Sequence, residues 1–341
     1  MSEGKQLIAE KQIFIGCDVS KYTLDFAIYQ RGIDYRKFKH HQVSNDEVGF
    51  KEFLKWLKGN GMKKQKELVV ALEHTGFYSL GLAEWLYRKK ITFCYLHPLN
   101  VKNYISSAHN KNDSEDACMI ADYLYTMREK LTPSTPEPSE IKKLRELRNE
   151  RDLIIKSRTS FLNLLKTIEE TASINRINKI INELTTQVKA IEKCILALVN
   201  SDENIKNNYN LITSIPGIGL INAINTIIAT ANFTRFQTAR QFAKFCCICP
   251  LSNESGISVR GGDHISKKGH NELKADLTEA ARSTIIYDSQ MKTYYKRKRD
   301  QGKSHGCVMN AIKFKLVCRM FAVVIRQTPY VDFEKYRKNG H

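Results

Sequence analysis

Apolar and polar positions recur with one period in the first part of this chain and with another beyond it. Residues 12–31 (QIFIGCDVSKYTLDFAIYQR) begin with a β-branched apolar run, pass a short polar turn and resume in alternation. That reads as a strand, a turn and a second strand, and residues 34–44 (DYRKFKHHQVS) read as a third. Helical spacing follows over residues 46–58, with Asp46 near the N-terminus. Residues 67–73 (ELVVALE) form a short buried strand ending in Glu73. A helix over 77–90, a strand over 91–98 and a helix carrying Asp113 and Asp116 complete the region. Hairpin strands followed by β-α units predict an α/β domain over residues 1–131, a mixed sheet with helices on its faces.

A Pro/Ser-rich stretch, TPSTPEPS at 132–139, marks a boundary. Beyond it Ile177, Ile181, Leu184, Val188, Ile191, Ile195 and Leu198 step by four and three, which is a heptad seam. Ile141, Leu144, Leu147, Ile154, Phe161, Leu165 and Ile168 form a looser one, and the polar stretch 173–178 is the expected break between two antiparallel helices. Residues 132–204 therefore predict a helical coiled-coil linker, closing within the chain or against a second copy; a homo-oligomer is expected.

From 205 to 341 the texture is mainly helical with Gly-rich turns. ITSIPGIGLINAINTIIA at 212–229 sets a PGIG turn before a helix. Gly217 and Gly219 in such a turn can present backbone N–H groups to a DNA phosphate, as helix-hairpin-helix modules do. A plain packing turn fits them equally. Residues 249–274 read as a loop, and KTYYKRKRDQGKSHG at 292–306 is strongly basic, with Lys296, Arg297, Lys298 and Arg299 in succession.

Charge narrows the partner. The 341 residues carry a net charge of +18, which suits a polyanion, most simply nucleic acid. The sequence shows no long apolar span, signal peptide or lipidation motif, so a cytoplasmic protein without a membrane partner is expected. Nine cysteines are scattered. Cys246, Cys247 and Cys249 precede His264 and His270, but CCxC is a poor zinc spacing in apolar surroundings, and reduced core thiols are expected.

Asp113 and Asp116 lie three residues apart on one helical face, where like charges repel. One explanation is a helix start, since acids there complement the dipole. The other is a hard divalent cation, which takes carboxylate oxygens. Asp18 interrupts an apolar strand, a costly place for an acid unless it is paired or metal-bound, and Glu73 ends another strand. A sheet flanked by helices can bring all four acids to one edge. There they would hold two Mg²⁺ ions roughly 4 Å apart, the arrangement used for phosphodiester displacement. The ions' charge would offset the repulsion.

GCDVSK, ALEHTG and KNDSEDA, in that order, resemble the N-terminal RuvC-like, RNase H-type domain of the DEDD transposases. These are insertion-sequence recombinases, related to Piv-type DNA invertases, that act with an element-encoded bridge RNA. PGIG and SG…KKG resemble their C-terminal transposase domain, over residues 205–341 here, and the likeness covers nearly the whole chain. It implies Asp18, Glu73, Asp113 and Asp116 as the catalytic, Mg²⁺-binding tetrad, and leaves Asp25 and Asp122 as structural. It implies Ser255 in NESG as a nucleophile; chemistry alone would not choose it over Ser252, Ser258 or Ser266. Asn253 and Glu254 precede it, where the family more often carries a small or aromatic pair.

Nucleic-acid contacts are expected at Lys111, Gly217, Gly219, Arg260, Lys267, Lys268 and the basic run at 296–299. The implied reaction is a transesterification on donor and target DNA through a serine-phosphate, with a guide RNA selecting the target, in a bacterial or archaeal nucleoid. A dimer or tetramer could hold one subunit's acids against another's serine. The alternatives are a DNA invertase or RuvC-like junction nuclease without a serine intermediate, and a non-catalytic nucleic-acid-binding scaffold. Target sequence, guide RNA, oligomer size and transposition versus inversion are not legible in the residues.

Overall fold

A computed structural model of the chain describes residues 8–62, 64–73, 76–96, 101, 104, 113–255, 259–265 and 271–332. The chain divides into two compact units, Met1–Glu137 and Pro138–His341.

The first unit is built on β1 (Ile13–Val19), β2 (Thr23–Ile28), β3 (Lys39–Ser44), β4 (Leu68–Glu73) and β5 (Thr92–Leu96), in the order β3-β2-β1-β4-β5. β2 runs antiparallel to β1 and β3, whereas β1, β4 and β5 are parallel. The third strand begins at Lys39 rather than at 34. Tyr35–Lys37 make a 3₁₀ turn instead, capped where the Asp34 carboxylate accepts the Arg36 N–H at 3.0 Å. The helices are α1 (Glu47–Gly59), α2 (Leu80–Arg88) and α3 (Asp113–Thr126).

The period of two sorts each strand's side chains between two cores. Ile15, Cys17, Leu24, Phe26, Val70 and Leu72 meet Phe53 and Leu57 of α1 and Trp85 and Leu86 of α2. Phe14, Val69, Ala71 and Cys94 face Ile120, Tyr123 and Leu124 of α3. The Pro/Ser stretch is tied to this unit. The Ser134 N–H donates to the Phe93 carbonyl at 2.8 Å, and its hydroxyl accepts the Tyr95 N–H at 3.0 Å, which covers the open edge of β5.

In the second unit α4 (Ser139–Leu164) and α5 (Thr171–Ser201) form an antiparallel hairpin. Ile141 and Leu144 near the start of α4 share a core with Ile195 and Val199 near the end of α5. Arg151 pairs with Glu192 midway along, at 2.8 Å. The break falls at residues 165–170, not at 173–178. The polar residues read as a break are instead first-turn contacts of α5. The Ser173 hydroxyl donates to Glu170 and accepts from Arg176 at 2.7 Å.

There follow α6 (Glu203–Thr213), α7 (Leu220–Thr230), α8 (Ala239–Phe245), β6 (Pro250–Ser255), β7 (Val259–Ile265), α9 (Asn271–Tyr287), α10 (Ser289–Asp300) and α11 (His305–Arg326). Within the expected loop over 249–274, β6 and β7 pair antiparallel with an irregularity between Leu251 and Asn253, and α9 begins at Asn271. Its Gly, Ser and Asn content conceals strands that pairing, not propensity, creates. Ile212, Ile224, Ile227, Ala280, Leu316 and Met320 are fully buried in the core that α6, α7, α9 and α11 enclose. Among the described residues no helix is long and apolar enough to cross a membrane.

Candidate active site

Asp18 lies one residue before the end of β1, and Glu73 is the last residue of β4. The parallel register pairs Cys17 with Leu72, and continuing it by one residue sets Asp18 beside Glu73. Both alternate with side chains of the outer core, so both belong to the sheet face that α3 covers, as do Phe14 and Ala71. Asp113 begins α3 and Asp116 follows one turn on. Two strand ends and one helix start therefore converge. The Asp113 side chain lies outside the described residues.

Two of these groups interact through their charges. Burial pushes the Glu73 carboxyl above the usual carboxylate range, and the charge of Asp116 pushes it further. Glu73 and Asp116 are thus neighbours of like charge. Among the described residues, no three His, Cys, Asp or Glu side chains stand close enough together to ligate a metal as they are.

What sets α3 at this distance is a glycine. A Cβ on Gly16 would sit 2.2 Å from the Ala117 carbonyl oxygen and 2.4 Å from the Ala121 nitrogen. The helix backbone therefore rests on β1 two residues before Asp18, with Ala117 and Ala121 fully buried against it. Gly16 went unread in the sequence, although a glycine inside an apolar strand signals close backbone approach. Asp25, expected to be structural, is buried and hydrogen-bonded. It stands directly across from Asp18 in the antiparallel register, on the same face, and is 6% exposed. The Gln42 side-chain amide donates to both its carboxylate oxygens, at 3.1 and 3.0 Å. Asp122 lies on α3 and accepts the Tyr104 hydroxyl.

Ser255 is the last residue of β6, paired in register with Val259, at the turn end of the hairpin. Arg260 stands opposite Glu254 in the same register, so residues of opposite charge occupy facing positions. Lys111, Lys267 and Lys268 lie outside the described residues. Gly217 has φ +95°, and a Cβ there would meet the Thr284 hydroxyl at 2.1 Å and the Ala280 carbonyl at 2.9 Å. This glycine is therefore required by packing against α9, and the Pro216 carbonyl accepts the Thr284 hydroxyl at 3.0 Å. Gly219 caps α7, is exposed and has open space where a Cβ would go.

Lys296, Arg297, Lys298 and Arg299 lie on α10, where Arg297 stacks over Tyr294 at 5.6 Å. Lys298 donates to Gln301 at 3.0 Å and Arg299 to the Lys303 carbonyl at 2.7 Å, so these contacts leave the positive charges of both without a countercharge. Cys246, Cys247 and Cys249 are buried free thiols, and burial, then Cys247, pushes Cys246 up to about 12.

Known proteins are similar to this chain over most of its length. A DEDD-type IS110 model described as "Transposase" matches residues 15–170, and one described as "Transposase IS116/IS110/IS902 family" matches residues 209–296. The pilin gene-inverting protein of Moraxella bovis is 25% identical over 327 residues, covering 93% of this chain and 97% of its own length. The transposase for insertion sequence element IS1111A of Coxiella burnetii is 26% identical, covering 69% of this chain and 72% of its own. An IS110 protein of Streptomyces coelicolor is 28% identical over 120 residues, 35% of this chain.

Proposed function

We propose that the chain, which belongs to the IS110 family of DEDD-type transposases, cuts and rejoins DNA by transesterification, with Ser255 as nucleophile and Asp18, Glu73, Asp113 and Asp116 as the acidic half of the site. The observation that carries this reading is the shared sheet face, on which Asp18, Glu73 and the start of α3 meet and Glu73 feels Asp116. The strand order β3-β2-β1-β4-β5, with one antiparallel and one parallel side, supports assigning the sheet unit to the RNase H-like class. We assign residues 1–131 to catalysis by carboxylate, 132–204 to a helical arm and 205–341 to the serine and DNA contacts.

The acidic donor set is all oxygen, and its like charges repel, which fits a hard divalent cation such as Mg²⁺. Asp18, Glu73, Asp113 and Asp116 would hold two such ions. Bound metal supplies polarisation of the scissile phosphate and stabilisation of charge on the leaving oxygen. Asp18 and Glu73 fix the site to the paired strands β1 and β4, and Gly16 sets the approach of the helix that carries Asp116. The Ser255 oxygen forms a bond to phosphorus as the bond from phosphorus to a sugar oxygen breaks, and the hydroxyl proton passes to solvent. The serine-phosphate keeps one phosphodiester-like bond in place of another, so rejoining is the same displacement reversed. Lys and Arg on α10 and beside the hairpin hold backbone phosphate without reading sequence. Target choice by a guide RNA, held by its shape and charge, follows from the family resemblance and suits the net charge of +18.

A second reading is inversion of a DNA segment. The likeness to the pilin gene-inverting protein over 93% of this chain favours it, and the chemistry at the site would be the same.

Strand exchange on a junction substrate, with Mg²⁺ and the RNA encoded beside the gene, tests the assignment. Wild type exchanges strands, whereas Asp18→Asn and Ser255→Ala do not. Exchange by Ser255→Ala removes the serine from the mechanism, and exchange by Asp18→Asn removes the tetrad. Mixing Asp18→Ala with Ser255→Ala subunits reads the geometry of the oligomer. Recovered exchange places acids and serine from different subunits in one site, and a mixture without any recovery rejects that arrangement.

A further inference from the structure

The carboxyl ends of three strands meet at the acidic edge of the sheet. β1 and β4 are parallel, and β3, antiparallel to β2 as β1 is, runs the same way. Asp18 and Glu73 stand at this edge, where open α/β sheets take their ligands. Asn45, the residue after β3, ties together the turns that follow both acids. Its N–H donates to the Tyr22 carbonyl at 2.9 Å. Its side-chain amide donates to the Ser20 carbonyl at 2.9 Å and to the Tyr78 carbonyl at 3.0 Å. The turn between β1 and β2 is closed again from within. The Ser20 N–H donates to the Thr23 carbonyl at 3.0 Å, and the Thr23 N–H to the Ser20 hydroxyl at 3.1 Å. Tyr78 lies in the 3₁₀ turn Gly76–Ser79, between β4 and α2. The backbones of Tyr22 and Tyr78 are therefore pinned to the edge, one asparagine apart.

Their side chains are left to solvent. Tyr22 is 72% exposed and Tyr78 46%. Lys21 is exposed as well, and its ammonium lies 4.8 Å from the centre of the Tyr22 ring. Among the described residues neither tyrosine hydroxyl has a hydrogen-bond partner and Lys21 has no ion pair. A turn that needs only to reverse the chain keeps small polar residues at its tip. This one is braced from two sides and holds out an aromatic ring and a cation. Two firmly mounted rings and an ammonium are the parts of a platform for single-stranded nucleic acid. Ring faces take bases of any sequence, and the ammonium takes a backbone phosphate. A paired duplex keeps its bases stacked on one another, so the fit is to bases opened out of the helix.

We propose that Tyr22 and Tyr78 form a stacking rim for unpaired bases beside the cut site of the DNA strand held at the acidic face, with Lys21 on a neighbouring phosphate and Asn45 as the positioning residue. The rim rests on the reading that Asp18 and Glu73 act on DNA. The step is binding only; no bond is made or broken.

Full-length protein without divalent metal is titrated with two DNA duplexes of equal length, one fully paired and one with a short mismatched bubble that carries 2-aminopurine. Stacking on a ring quenches the fluorescence of that base. Wild type should prefer the bubble and quench it. Tyr22→Ala and Tyr78→Ala should each bind the bubble about tenfold more weakly and quench it less, with affinity for the paired duplex unchanged. Both rings are exposed, so the two variants should melt as wild type does. Tyr22→Phe should keep the wild-type affinity and quenching. Lys21→Gln should lose about 0.7 from the salt slope on the bubble, one single-strand phosphate contact, and still quench. Asn45→Ala should lose the quenching of both rings while binding the paired duplex as before; retained quenching overturns its positioning role. Bubble affinity and quenching that survive removal of both tyrosines overturn the rim. Tyrosine-dependent binding of a single-stranded RNA, with the DNA bubble indifferent to the rings, overturns it as well. Asp18→Asn, assayed alongside for strand exchange with Mg²⁺, separates the two readings. If it retains exchange, the acidic-face reading fails, whatever the tyrosines do.

Discussion

Each unit holds a half-buried carboxylate that burial pushes upward, Glu73 in the sheet unit and Asp276 in the helical one. Their neighbours differ in sign. Beside Glu73 stands another acid, Asp116, which adds to the push. Around Asp276 the Asn225 amide and the charge of Arg148 pull the other way, against smaller contributions from Asp152 and Glu272. Arg148 completes the arrangement, meeting Asp152 at 3.0 Å and Glu272 at 3.2 Å. The helical network is compensated from within and ties α4, α7 and α9 together. At the acidic face the charge of Asp116 adds to the push of burial on Glu73 instead of opposing it.

The comparison breaks most sharply at the chemistry. Asp18→Asn and Ser255→Ala should each lower strand exchange by about 10³-fold or more, the scale for loss of an essential catalytic group, with little change in melting temperature. A large fall in melting temperature for either variant would reassign that residue to the fold. Arg148→Met should do the reverse. Removing the cation leaves Asp152, Glu272 and Asp276 facing one another, so stability of the helical unit should fall by about 2–4 kcal/mol in chemical denaturation. A loss under about 0.5 kcal/mol would mean that the network does not bind these helices.

Packing offers an intermediate test. Gly16→Val should destabilise the sheet unit by about 2–3 kcal/mol, because the Ala117 carbonyl and Ala121 nitrogen occupy the space a side chain needs. A stable Gly16→Val protein that still exchanges strands would show that the approach of α3 does not set the position of Asp116.

The smallest effect has the most informative sign. Glu73 has a raised pKa in the folded state, so the folded protein holds that proton more tightly than the unfolded chain. Its contribution to stability therefore declines as pH rises from the ordinary glutamate range through the raised value. Without divalent metal, Glu73→Gln should melt a few degrees higher than wild type at neutral pH and show a flatter decline over that window. Added Mg²⁺ should stabilise wild type more than the variant. A lower melting point for metal-free Glu73→Gln, or equal Mg²⁺ protection, would remove the electrostatic conflict from the account.

Much of the sheet unit is legible in the residues, because strands buried on one side write their faces as alternation and acids on apolar strands stand out. Asp18 in FIGCDVSK and Glu73 in VVALEHTG are visible for that reason. The heptad positions of α5 are legible too, and Ile177, Val188, Ile191 and Ile195 are buried as the period requires. The exact break before α5 is not, since polar residues at 173–176 serve as well for a helix start as for a turn. The hairpin of β6 and β7 was hidden by composition that favours loops. In sequence Gly217 fits a phosphate turn and a packing turn equally, and its neighbour Thr284, far along the chain, gives it a packing role.

The most direct test of the central claim is the covalent link itself. Wild-type protein and DNA, quenched in denaturant during strand exchange and digested, should yield one DNA-linked peptide with the phosphate on Ser255. Asp18→Asn should yield none. Cleaved DNA without any protein attached, or an adduct that survives loss of Asp18, would contradict a single reaction centre built from the acidic face and the serine hairpin.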